Sequence, residues 1–196
     1  MTQIRIIQSS GSIPTVNQLA LGDIAINSYD SRLYYKRVQG INQKVIGISN
    51  ALAYGQWQNN TTLTGSANVS QSFQYDTTDL AYKTYLQPPD KLYVEDTGVY
   101  NLQFSAQLEE PAGGDATIYI WLKKNGVNVL ESAGAIDLAN KGKIIVGWNF
   151  MTSMNAGDYL EITWQSNNSN TEIVGEPASG NIPAIPSVIA TLTQIY

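Results

Sequence analysis

The side chains able to do chemistry are few and mostly acidic. Glu109 and Glu110 are adjacent; in an extended chain they point to opposite faces, so they cannot form the facing carboxylate pair of a glycosidase. A carbohydrate-degrading enzyme would need two carboxylates brought together from distant strands. The loop EEPAGGD offers oxygen ligands from Glu109, Glu110 and Asp115 together with glycines, which makes these three the calcium candidates, but it lacks the regular ligand spacing of a dedicated calcium loop. The plainer reading is the end of a strand at a solvated loop, with no metal and no cofactor. The chain has no histidine and no cysteine. That removes the usual neutral-pH acid/base, the commonest zinc ligands, thiol nucleophiles and disulfides together.

Charge points away from nucleic acid. The net charge is -5, only 14% of residues are charged, and no basic cluster is denser than Lys36-Arg37, Lys123-Lys124 or Lys141-Gly-Lys143. A phosphate-neutralising stripe is missing. Asn, Gln, Ser and Thr approach a third of the chain, which favours close-packed, hydrogen-bonded contacts over electrostatic steering. The N-terminus MTQIRIIQSSGSIPTV has no basic region followed by an apolar run, and no stretch nears the roughly 20 apolar residues of a spanning helix. A soluble chain with no secretion signal and no membrane insertion is expected.

Period-two patterning supplies the elements. In GVYNLQFSAQL, Tyr100, Leu102, Phe104, Ala106 and Leu108 alternate with mostly polar residues, as in a strand with one buried face. DYLEITWQ repeats this, with Leu160, Ile162 and Trp164 inward and Glu161, Thr163 and Gln165 outward. ATIYIWL (116–122) and KIIVGWNFM (143–151) are apolar on both parities, so each needs a cover on both faces. Turn signals fall at 87–90, 95–98, 111–115, 124–126 and 155–158; Asn125-Gly126 predicts a type I′ hairpin between strands at 116–123 and 127–132. ESAGAIDLANKGK is broken by glycines and reads as loop. About eight short strands over roughly 130 residues predict an all-β antiparallel sandwich, with the jelly roll as the leading variety.

Three regions are expected: a β-hairpin module at 1–50, a linker at 51–66, and the sandwich at 67–196. SNALAYGQWQNNTTLTGS (49–66) has no period and is rich in Asn, Thr, Gly and Ser. Before it, LGDIAINSYDSRLYYKR reads as a strand, a turn through Ser28-Tyr29-Asp30-Ser31, and a return strand, followed by a second pair around Gln39-Gly40. Fifty residues with so few large side chains bury little surface, and with disulfide and metal set aside, self-association or docking is left to stabilise them.

Two family resemblances follow from these residues. DTGVYNLQFSAQL, YIWLKKNGVNVLES, TSMNAGDYLEITW and the closing PSVIATLTQIY resemble the C1q/tumour-necrosis-factor-like jelly roll over about residues 67–196, on Gly98, Tyr100, Phe104, Lys124-Asn125-Gly126, Gly157-Asp158 and the strand 187–196. That resemblance implies a compact homotrimer, which would supply the second cover. IPTVNQLALGDIAINSYDSRLYYKRVQGINQKVIGI (13–48) resembles a short module of bacteriophage tail-fibre and baseplate-associated proteins, with Asp23 where the pattern more often has Glu. It implies a virion structural protein attached through residues 1–50.

Together these lead to a non-enzymatic, homotrimeric phage structural protein, made in the host cytoplasm and located on the virion. Its N-terminal module would dock on other virion proteins through Leu21, Ile24, Ile26, Leu33 and Tyr35. Its jelly roll would project toward a host surface receptor or glycan. The alternative is a capsid or tail decoration protein that binds no receptor. Tyr100, Phe104, Trp148, Phe150 and Trp164 are expected in the core, Tyr119 and Trp121 at the trimer axis, and Tyr82 and Tyr85 as loop receptor candidates.

Overall fold

Alternating apolar residues organise the larger of the two compact units into which the chain divides, Met1–Leu52 and Ala53–Tyr196. The computed structural model describes residues 6–9, 13–27, 32–48 and 52–196.

In the larger unit two antiparallel sheets face each other. At the centre of the first lies Gly98–Glu109, flanked on one side by Val188–Gln194 and on the other by Lys143–Val146 and Asn149–Met154; Tyr54–Asn59 and then Thr77–Tyr82 extend it beyond Val188–Gln194. The second sheet runs from Gly134–Leu138 through Ala116–Lys124, Tyr159–Ser166 and Lys91–Val94 to Thr84–Gln87. Along the chain, Lys91–Val94 lies in the second sheet, Gly98–Glu109 in the first, Ala116–Lys124 in the second, Asn149–Met154 in the first, Tyr159–Ser166 in the second and Val188–Gln194 in the first. This repeated crossing is the jelly-roll arrangement, and the unit is all-β as the alternation predicts.

The inward residues are those the alternation names. Tyr100, Leu102, Ala106 and Leu108 from one sheet, with Ile118, Ile120, Leu160 and Ile162 from the other, are fully buried, and Phe104 and Trp164 nearly so. Trp148 and Phe150 are only partly buried and pack on the core's margin. The outward residues of Tyr159–Ser166 do not all meet water: Thr163 and Glu161 are buried too, because Gln71–Ser72 pairs alongside and Ser72 Oγ donates to Glu161 Oε1 at 3.2 Å.

Two predicted turns are tied to each other. Asn125 and Gly126 both have positive φ (51° and 78°), as a type I′ turn requires. Asp158, in the neighbouring turn, accepts hydrogen bonds from Asn125 Nδ2 (2.8 Å) and from the Asn155 backbone N–H (2.8 Å), and Lys124 Nζ lies 3.0 Å away. The bonds from Asn125 and Asn155 and the Lys124 charge hold the Asp158 carboxyl below the ordinary carboxylate range.

Three segments differ from the sequence reading. Within the expected linker 51–66, the described residues 53–66 belong to the sandwich: Tyr54–Asn59 lies between two partner strands, and Trp57 is fully buried. The sandwich therefore starts near residue 53 and not at 67. ESAGAIDLANKGK contains the strand Gly134–Leu138, paired with Ala116–Lys124 over five residues from Ala116↔Leu138 to Ile120↔Gly134. KIIVGWNFM is two strands interrupted at Gly147-Trp148, where a Cβ on Gly147 would lie 2.4 Å from the Phe104 carbonyl oxygen. In ATIYIWL and KIIVGWNFM the outward face stays partly open among the described residues: Tyr119, Ile145 and Met151 are exposed.

The smaller unit orders its described strands Ile6–Ser9, Ile24–Asn27, Arg32–Gln39 and Asn42–Ile48, the first pair parallel and the others antiparallel. The expected turn at Ser28-Tyr29-Asp30-Ser31 lies outside the described residues. Asp23 closes the preceding turn by accepting from the Ala20 backbone N–H at 2.8 Å. Among the described residues the core here is Leu19, Ala25 and Tyr34, with Val45 against them. Tyr34 lies over Gly47, where an added Cβ would meet its ring at 2.8 Å.

Two measurements test this account. A chain starting at residue 53 keeps a cooperative unfolding transition, while one starting at 67 loses a strand and Trp57 and does not; Trp57→Ala costs about 3–5 kcal/mol in denaturant unfolding. Because its folded pKa is depressed, Asp158 stabilises above its unfolded value of about 3.9 and ceases to as pH falls through the folded value. The stability gap between the wild type and Asp158→Ala is therefore widest at neutral pH and closes in acid, as read from urea midpoints across pH.

Candidate functional site

Three surfaces stand out, and the first belongs to the smaller unit. Strand register pairs Ile24 with Tyr35, Ile26 with Leu33, Leu33 with Ile48 and Tyr35 with Ile46, so six apolar side chains share one face. Ala25 and Tyr34 of the small core point to the other face. Ile26, Leu33, Tyr35 and Ile48 are exposed, and Ile24 and Ile46 are half-buried. The structure thus gathers four of the five N-terminal residues singled out from sequence onto one bare sheet face. Leu21, the fifth, is 72% exposed in the turn before the strand. Ile46 and Ile48 complete the face; their pairing with the return strand is what places them there, and a look across the Gly40 turn could have found them.

The second surface is the outward face of the larger unit's first sheet. Its cross-strand rows are Met151–Asn101–Thr193–Tyr54, Asn149–Gln103–Thr191–Gln56, and Ser105–Ile189–Gln58. These rows contain no Asp, Glu, Lys or Arg. Charge appears only at the margins, where Lys143 pairs with Glu109 at 3.2 Å and with Glu176, and where Asp79 accepts from Gln56 at 2.9 Å. Ile145 and Met151 are exposed on this face along the strands that end the sheet on this side. A face of amides, hydroxyls and aliphatic groups loses less on desolvation than a charged one, provided its polar groups find partners, since it has no isolated ion to bury.

The third surface lies on the second sheet. Tyr119 and Trp121 project from Ala116–Lys124 opposite to the buried Ile118 and Ile120, as their parity predicts, and line a groove of about 360 Å³ with Asn128, Val129, Leu130, Glu131, Ala133 and Gln165. Trp121 Nε1 donates to Asn128 Oδ1 at 3.0 Å. These two rings stand on a different sheet from the uncharged rows. Further along the same sheet, Tyr85 stacks on Tyr93 (5.0 Å between centroids, 3° between planes), and Tyr93 lies 4.9 Å from Tyr159, whose ring Lys91 overhangs. Tyr85 is thus held in a cross-strand ladder, and Tyr82 sits beside Tyr54 at 5.9 Å; neither is a loop residue.

The carboxylates of EEPAGGD do not converge. Glu109 is engaged by Lys143, and Asp115 accepts from the Asn140 backbone N–H at 2.9 Å. Glu110, expected at a solvated loop, is fully buried: Oε2 accepts from Thr171 Oγ1 at 2.9 Å, and Thr171 in turn contacts Ser166 Oγ at 2.6 Å. Among the described residues no three acidic side chains are grouped so as to hold a metal ion.

No family model and no curated protein matches the chain. Among solved structures it is similar to the globular domain of zebrafish complement 1qA protein, at 12% identity and a TM-score of 0.48 over 74% of this chain and 98% of that one. It is also similar to murine APRIL at pH 5.0, at 9% identity and a TM-score of 0.48 over 74% of this chain and 100% of that one. The antiparallel jelly-roll sandwich itself stands on the strand order and register given above.

With Glu109, Glu110 and Asp115 committed to separate partners, raising calcium from zero to millimolar leaves the melting temperature of the chain unchanged. A calcium-dependent rise in a thermal scan that disappears in Asp115→Ala would contradict this arrangement.

Proposed function

We propose that the protein is a non-enzymatic structural protein of a bacteriophage virion. It assembles as a homotrimer, joins other virion proteins through its N-terminal sheet, and presents its jelly roll for attachment to a host surface. The phage assignment rests on the resemblance of residues 13–48 to fibre and baseplate modules. The observation that carries the assembly role is the bare apolar face of Ile24, Ile26, Leu33, Tyr35, Ile46 and Ile48. Such a face, beside so few buried apolar side chains among the described residues, calls for another molecule to cover it.

Self-association of the larger unit is assigned to the uncharged rows of its first sheet and the exposed strands beside them. This differs from the expectation that placed Tyr119 and Trp121 at the axis. Desolvating Asn101, Gln103, Thr191 and Met151 against a second copy costs less than desolvating Lys123 and Glu131, the charged groups beside the two rings. Three copies held together convert weak surface contacts into useful avidity.

Two experiments address the two faces separately. Size-exclusion chromatography with light scattering returns three times the 21.4 kDa chain mass, and Met151→Glu with Gln103→Glu returns the chain mass while preserving the unfolding transition. A stable monomer of the unaltered chain at micromolar concentration ends the trimer proposal. Ile26→Ser with Leu33→Ser leaves the trimer intact and abolishes incorporation into particles; particles that still take up the variant end the anchoring proposal.

A further inference from the structure

The groove beside Tyr119 and Trp121 combines two kinds of surface. The two rings stand two residues apart on one strand, roughly 7 Å along it, and form a platform open to solvent; Tyr119 is 44% exposed. Around that platform stand polar groups of complementary kinds. The indole N–H is spent on Asn128 Oδ1, which fixes the ring plane and leaves the Asn128 amide to present its N–H donors. Gln165, directly across from Tyr119 in the sheet, brings both a donor and an acceptor. Glu131 contributes acceptor oxygens from a residue whose φ is 59°, a left-handed backbone conformation that a residue with a Cβ adopts at a cost. Leu130, 89% exposed, walls one side.

We propose that this groove binds a neutral saccharide, with one face of a pyranose ring resting on Tyr119 and Trp121. The proposal supplies a ligand class for the attachment role above and rests on that reading. A pyranose has a patch of C–H groups on one face and a rim of hydroxyls that each donate and accept. Aromatic faces take the first, and mixed amide and carboxylate groups take the second. Glu131 is the single charged lining residue, so an anionic ligand such as a phosphate is disfavoured there. The rings lie side by side on a sheet and do not enclose a volume, which fits a flat ring better than a quaternary ammonium ion needing aromatic faces around it.

The test uses the full chain on an array of neutral hexose and N-acetylhexosamine oligosaccharides, with tetramethylammonium titrated separately into the same protein. Binding to at least one neutral saccharide is expected. Trp121→Ala and Tyr119→Ala each weaken it roughly tenfold or more, Trp121→Phe restores part of it, and a change at the exposed Ile182, Ile182→Ala, leaves it unchanged. Thermal unfolding of each variant confirms that the sheet persists. Binding to no neutral saccharide, binding that survives Trp121→Ala, or a response to tetramethylammonium alone would overturn the proposal. Light scattering on the same samples separates the two readings: a trimer that binds no saccharide overturns the groove alone, and a monomer that binds one overturns the assembly alone.

Discussion

The larger unit depends on one strand. Gly98–Glu109 is hydrogen-bonded on both sides, to Val188–Gln194 and to Lys143–Val146 with Asn149–Met154, and its alternate side chains Tyr100, Leu102, Phe104, Ala106 and Leu108 form one wall of the core. Because a shift of one residue would turn all five outward, the apolar alternation fixes the register of its neighbours as well. The same constraint produces the surface: once the even positions are committed to the core, Asn101, Gln103, Ser105 and Gln107 must face away from it. The uncharged face and the core are two sides of a single pattern.

Much of this is legible in the sequence where burial and side-chain type agree. The strands around Phe104, Ile120 and Ile162 and the Asn125-Gly126 turn follow from alternation and turn chemistry. Tyr54–Asn59 escapes the same reading because its inward positions hold Gly55, Trp57 and Asn59, and only one of them is apolar and large. Gly55 leaves room for the Trp57 ring, and an added Cβ there would lie 2.3 Å from it. Buried Asn59 is accommodated by donating to the Gln74 carbonyl at 2.9 Å and accepting from the Thr61 backbone N–H at 2.7 Å. Such a strand is specified by fit and hydrogen bonding, which leave no hydrophobic period.

In the smaller unit hydropathy alone would invert the faces. The isoleucines of Ile24–Asn27 look inward by type, yet Ala25 and Asn27 are the buried positions, since Tyr34 and Leu19 fill that side. Sequence identifies the residues that share a face but not which face the chain covers for itself. The aromatic groove is similarly half-legible. Parity sets Tyr119 and Trp121 together; Asn128 and Glu131 join them only through the hairpin that follows, and Gln165 only through cross-strand pairing.

The position of Tyr54–Asn59 has a mechanical meaning. It is the first strand of the sandwich and it lies between two partners, antiparallel to both Val188–Gln194 and Thr77–Tyr82. The hydrogen bonds of such ladders run perpendicular to the strands. A pull entering from the residues before Ala53 along the strand direction therefore loads both ladders in shear, with many bonds sharing the force, and does not peel them apart one at a time. A pull of that kind meets an inner strand of the sandwich and not an edge strand.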